Sequence, residues 1–219
     1  EFDTATLNLM HQLRQACDWS GVGSLEAKVR EITRQALSNE TDVALNPFAS
    51  VTSNDDGQEN LDVARAVSRR ISRQMSGTGT NFSMVERRKG KPKITIGYLS
   101  GDFQHHATAH LMLSLFELHD RQKFEIYSFS HGQSDASTYR TKIERDSDKF
   151  FDIQSASHLD AAKLIYESGV DILVDLKGHT GNNRLEICAL RPAPVQVSYL
   201  GFPGSTGADF IDYFITDKT

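Results

Sequence analysis

From residue 93 onward, short apolar runs alternate with amphipathic stretches. The runs at 93–99, 123–130, 149–153, 170–175 and 194–200 read as strands, with a short one at 212–216. Between them, 107–119, 138–146, 158–168 and 182–189 repeat their apolar positions at helical spacing. Strands alternating with helices of this length predict βαβ units, an α/β chain with a Rossmann-like, mainly parallel sheet. Right-handed crossovers place every second loop on one rim. The loops after Leu99, Ser130, Asp175 and Tyr199 are expected to share it.

Upstream the period is helical throughout. Residues 3–37 read as two helices separated by Asp18-Trp19-Ser20-Gly21-Val22-Gly23. In the second, Leu25, Val29, Ile32 and Ala36 recur on one face, and Ser24 is placed to cap its start. Gly21-Val22-Gly23 resembles part of a dinucleotide loop, but no strand precedes it, so that reading is set aside. Residues 38–60, rich in Asn, Asp, Ser and Thr, read as a loop. A third helix is expected over about 60–75, with Leu61, Ala64, Val67 and Ile71 on one face. Ser76-Gly77-Thr78-Gly79-Thr80 and then Arg87-Arg88-Lys89-Gly90-Lys91 read as a polar, then basic connector, solvated rather than ligand-binding. The pattern divides the chain into a helical connector region at 1–76, a linker at 77–92 and a Rossmann-like domain at 93–219.

Composition narrows the function classes. A net charge of −5 argues against a dedicated nucleic-acid binder. No apolar run approaches the roughly 20 residues of a membrane span. Cys17 and Cys188 lie far apart with no metal or redox spacing, so a reducing compartment is the default. The chain opens Glu1-Phe2 with no signal-peptide pattern and stops just after a strand. It is expected to be cytoplasmic and a piece of something longer.

Chemistry gathers at the strand ends. After the first strand come Ser100-Gly101-Asp102-Phe103-Gln104-His105-His106-Ala107-Thr108-Ala109-His110. In open α/β sheets, ligands sit outside the carboxyl ends of the strands, and imidazoles there handle protons near neutral pH. His106 stands nearest the loop and is the principal candidate. His110 reads as a buried supporting residue on the next turn, and His105 as a bystander pointing away. His106 and His110 are spaced to share a helix face, which suits zinc, but no third ligand or His-Glu-x-x-His pattern accompanies them, and no metal site is expected. His119, His131 and His158 read as isolated surface residues. The second cluster, Asp175-Leu176-Lys177-Gly178-His179-Thr180-Gly181, is either a polar glycine turn or the second wall of a site. Sharing a rim with the histidine loop favours the wall. The third, Gly201-Phe202-Pro203-Gly204-Ser205-Thr206-Gly207, exposes backbone N–H groups suited to a phosphate or sugar. It lacks the lysine of a P-loop.

These residues carry a family resemblance. Asp102-Phe103, His106, Thr108 and His110-Leu111-Met112 resemble the first catalytic-loop signature of O-GlcNAc transferases. Leu190-Arg191-Pro192-Ala193-Pro194-Val195-Gln196, the block Leu200 to Gly207, and Asp212-Tyr213 resemble a second, longer one. Cys17-Asp18-Trp19, Pro47-Phe48, Asp55-Asp56 and Gln58 resemble the connecting region of bacterial and SPINDLY-type relatives. The resemblance implies the N-terminal half of a GT-B fold, two Rossmann-like domains facing across a cleft, usually behind tetratricopeptide repeats. The second domain, which holds most of the nucleotide, is absent from this chain, and no repeat of about 34 residues is visible. The implied reaction is inverting, metal-free transfer of a sugar from a nucleotide donor to Ser or Thr of a protein. The donor is UDP-GlcNAc or, as in the SPINDLY branch, GDP-fucose. His106 matches the family histidine near the acceptor, as base or as orienting group. Thr108, His110, Asp175, Lys177, His179 and Thr180 would line the substrate side, and Gly201, Pro203, Gly204 and Thr206 the cleft. Ala107 stands where many relatives have proline, which implies a less rigid loop. Alone, this piece is not expected to turn over substrate.

Overall fold

The computed structural model describes residues 2–80, 82 and 91–218. The basic run Arg87-Arg88-Lys89 lies outside the described residues. Six strands form one sheet among them: β1 (Ile94–Ser100), β2 (Phe124–Ser130), β3 (Lys149–Asp152), β4 (Ile172–Asp175), β5 (Val195–Tyr199) and β6 (Tyr213–Ile215). Every pairing is parallel, and the order is β3-β2-β1-β4-β5-β6. The order reverses between β1 and β4, where Leu99 lies opposite Asp175. That switch point is where a doubly wound sheet opens a crevice.

Side chains on a strand alternate between faces, and here both faces are covered. Leu99, Tyr127, Phe129 and Leu173 enter one core cluster; their neighbours Tyr98, Ile126 and Val174 enter the other. Burial on both sides explains the continuous apolar runs. Phe103, Phe116 and Phe129 are fully buried, each contributing about 1.5–3 kcal/mol by removal from water.

The helices are α1 (Phe2–Gln15), α2 (Val22–Ser38), α3 (Pro47–Ser53), α4 (Gly57–Ser76), α5 (Ala107–Met112), α6 (Leu115–Leu118), α7 (Thr138–Asp146), α8 (His158–Glu167) and α9 (Leu185–Ala189). They depart from the pattern reading in four places. The stretch read as loop, 38–60, contains α3 and the start of α4. Its Asn and Asp residues are helix caps: the Asn46 side chain accepts the Ala49 N–H ahead of Pro47, and Asp56 accepts those of Gln58 and Glu59. Ser24 does not cap α2; Gly21 stands at that position and the Ser24 hydroxyl donates to its carbonyl. The helix expected at 107–119 breaks at Leu113-Ser114, for which nothing in the sequence accounts. The helix expected from 182 begins at Leu185, because Asn182 has φ 55°.

α4 looks two ways. Val67 and Ile71 pack into the sheet core. Val63 joins Met10, Val29, Val43 and Leu45 in a separate cluster with α1 and α2. The connector's last helix thereby covers part of the sheet.

Candidate functional site

The loop after β1 turns at once. Ser100 Oγ accepts the Asp102 N–H at 2.9 Å, and Asp102 is directed inward against Lys177, whose Nζ lies 2.8 Å from both carboxylate oxygens. Side chains of the pair are 9% and 6% exposed. This buried pair joins the β1 and β4 loops across the switch point.

His106 caps α5. Its Nδ1 accepts the Thr108 N–H at 3.2 Å and lies 3.7 Å from Asp102 Oδ2. A ring nitrogen that accepts a hydrogen bond carries no proton, so the neutral ring is protonated on Nε2. With the side chain 46% exposed, Nε2 is the nitrogen left for a ligand. Thr108 itself is buried and acts through its amide.

The neighbouring histidines differ from expectation. His110 is exposed rather than buried. Its Nδ1 is 3.0 Å from the Tyr139 hydroxyl and its ring centroid 4.1 Å from that of Tyr139, on which His105 also stacks. The His105 N–H donates to Asp135 Oδ2 at 2.7 Å, and this bond holds Asp135 down at about 2. It ties the β1 loop to the loop after β2. His131, read as a surface residue, has a mostly buried ring set against Gly101. Burial, with Arg184 and Lys177 nearby, lowers it to about 4, and its Nε2 has no partner among the described residues. A polar cavity of about 320 Å³ opens there, lined by Asp102, Gln104, His131, Gln133, Gln154 and Lys177. His119 is half-buried, its Nε2 2.9 Å from the Tyr98 hydroxyl. His158 stands beside Arg184 and Glu186. Isolation in sequence did not mean exposure.

The loops after β4 and β5 are closed. Asp175 is 1% exposed, and its Oδ2 accepts the Gly178 N–H at 2.6 Å. Burial pushes it up to about 6, against the backbone N–H bonds of Gly178 and Lys177. Thr180 Oγ1 donates to the Lys177 carbonyl at 2.9 Å. His179 is buried against Phe202, ring centroids 5.4 Å apart. Its Nε2 lies 2.8 Å from the Thr206 carbonyl, which also accepts the Ser68 hydroxyl of α4 at 2.8 Å. A carbonyl only accepts, so His179 Nε2 carries the proton. Burial lowers its pKa and keeps it neutral. In the glycine loop Pro203 is exposed, Gly201 and Gly204 are half-buried and Thr206 is buried. A side chain at Gly201 would run into the Leu176 carbonyl.

The structure thus brings Asp102, His106, Thr108 and Lys177 together across the switch point, and draws Asp175, His179 and Thr206 inward as supports. His106 and His110 have different partners and do not converge. Among the described residues, no group of three or more His, Cys, Asp or Glu side chains is placed to hold a metal ion. Pattern reading missed Ser68 and His131. Ser68 stood four residues from Ala64 on the buried face of its helix, where a hydroxyl needs a partner. His131 directly follows a strand on the ligand rim.

The glycosyl transferase family 41 profile matches residues 16–219. The chain belongs to that family. Among curated members, a probable UDP-N-acetylglucosamine–peptide N-acetylglucosaminyltransferase, SEC, of Arabidopsis thaliana is 33% identical over 96% of this chain and 22% of its own length. The Caenorhabditis elegans UDP-N-acetylglucosamine–peptide N-acetylglucosaminyltransferase is 42% identical over 57% of this chain and 11% of its own. A SPINDLY protein of Arabidopsis thaliana, with the same probable transferase title, is 40% identical over 57% and 14%. The chain therefore spans about a fifth or less of the length of these family 41 relatives. A solved Thermobaculum terrenum O-GlcNAc transferase mutant superposes with a TM-score of 0.56 at 22% identity, covering 100% of this chain and 55% of that one. At that identity the likeness shows the fold, the α/β half expected from the strand pattern.

Proposed function

We propose that this chain is the acceptor-side half of an inverting protein O-glycosyltransferase that moves GlcNAc from UDP-GlcNAc to Ser or Thr of a protein. The observation that carries the reading is the joining of His106, Asp102 and Lys177 across the switch point of a family 41 sheet. The relatives' titles name UDP-N-acetylglucosamine as donor and peptide as acceptor, and this supports the choice of GlcNAc over fucose.

In this reading the acceptor hydroxyl oxygen attacks the anomeric carbon, the bond to the nucleotide breaks on the opposite side, and a water relay or a base takes the hydroxyl proton late. His106, protonated on Nε2, donates a hydrogen bond that orients the acceptor or the departing oxygen. For Nδ1 to take a proton instead, the Thr108 cap must release it. The relatives' greater length supports the expectation that further chain supplies the nucleotide site and that these 219 residues alone do not turn over.

The test is His106→Ala in the full-length enzyme, assayed for transfer to a protein acceptor. A loss of about 10²-fold or more is expected for removal of a positioned polar catalytic group. Unchanged kinetics would remove His106 from the site. Calorimetry on the same protein with UDP-GlcNAc and with GDP-fucose decides the donor.

A further inference from the structure

Helix α4 reaches the glycine loop through one buried carbonyl. Ser68 is 1% exposed on the face of α4 turned to the sheet, and Thr206 and His179 are 4% and 6% exposed. The Thr206 carbonyl takes the Ser68 hydroxyl and His179 Nε2, both at 2.8 Å, using both of its lone pairs. Two donors from different elements fix the direction of that peptide plane, which a single donor leaves free to pivot.

The chain on either side is held as closely. Gly207 has φ 61°, and a side chain there would meet the Arg65 amide nitrogen of α4 at 2.6 Å. Only glycine lets the loop lie directly on the helix backbone. Gly204 approaches Val51 of α3. On the other side, a side chain at Gly178 would strike Phe202 Cβ at 2.5 Å. The 201–207 loop therefore lies between the β4 loop and α3–α4, with backbone directly against backbone at Gly201 and Gly207.

We propose that Ser68 is a positioning residue which, with His179, sets the conformation of the 201–207 loop, so that the connector helix forms part of the site. Five residues earlier on the same helix, Val63 joins the α1–α2 cluster. A displacement of the helical region thus acts on the loop through this carbonyl. The inference deepens the function proposed above only where it assigns the loop to the sugar cleft.

Hydrogen exchange of the chain tests the clamp. In Ser68→Ala, amides of 204–208 are expected to exchange about fivefold faster, the effect of one net hydrogen bond, with β1–β3 unchanged. Ser68→Thr, which keeps the hydroxyl, is expected to restore the slow rate. His179→Leu removes the other donor and should loosen the same segment, which keeps the test open if Ser68→Ala does not fold. Unaltered exchange at 204–208 in both variants, or an increase spread evenly over the chain, overturns the clamp. In the full-length enzyme, Ser68→Ala should raise KM for the nucleotide sugar about fivefold while leaving affinity for the free nucleoside diphosphate unchanged. A loosened loop with an unaltered KM leaves the clamp standing and removes the loop from the sugar cleft instead.

Discussion

The loop after β1 and the paired loops after β4 and β5 leave the same rim in opposite ways. The first shows its imidazoles to solvent: His105, His106 and His110 are all exposed. The others draw their polar groups inward: Asp175, His179 and Thr206 are buried, Asp175 accepts a backbone N–H, and His179 donates to the Thr206 carbonyl. One side of the crevice offers side-chain chemistry; the other offers a shaped backbone held from behind. Conspicuous polar residues in a glycine turn can therefore serve the turn rather than the ligand. The Lys177–Asp102 pair is where the two sides meet.

Substitutions should separate the two sides, the largest effect falling where they join. Lys177→Met leaves the Asp102 carboxylate buried without its partner and should cost about 3–5 kcal/mol in urea unfolding. Asp102→Asn added to it should recover much of the loss; no recovery would mean the pair is not coupled. His179→Ala removes a buried ring and a hydrogen bond and should cost about 3 kcal/mol. A cost below that of His106→Ala would reverse the comparison.

The third contrast is in pH. Asp175 is raised from 3.8 to about 6, so between about pH 4 and 6 the folded chain holds a proton that the unfolded chain has released. Its contribution to stability falls as pH rises through that window. Asp175→Asn keeps the acceptor oxygen and should remove this fall, on the order of 2–3 kcal/mol. His131 is lowered from 6.5 to about 4 and works the other way: its contribution is present above pH 6.5 and lost on acidification towards 4. His131→Gln should flatten that limb. Unfolding curves from pH 4 to 8 with parallel slopes in both variants would contradict these assignments.

The smallest effect belongs to the exposed side. His106→Ala loses the α5 cap and should cost about 1 kcal/mol, whereas His106→Asn, an able cap, should recover most of it. If Asn recovers nothing, the Nδ1 bond to Thr108 is not what holds the ring.

Much of the fold was legible in the pattern because the inner parallel strands β1, β2, β4 and β5 are largely buried on both faces and announce themselves as apolar runs. The rim followed from the handedness of crossovers, and with it the meeting of the His106 and Lys177 loops. Residues 47–53 and 57–60 read as loop although they are helical, because Asn and Asp mark helix starts as well as loops. His131 and His119 were misread because burial of a single ring is settled by neighbours distant in sequence, here Lys177 and Tyr98.

By itself the sequence determined the alternation of strands and helices from residue 93, the mainly parallel character of the sheet and the residue types gathered on one rim, since these rest on local periodicity and chirality. Only the tertiary structure decided which nitrogen of His106 is free, that Asp175 and His179 face inward, and that Ser68 reaches Thr206 across 138 positions. Hydrogen-bond direction and burial depend on groups brought within about 3 Å by the fold. No spacing along the chain encodes that proximity.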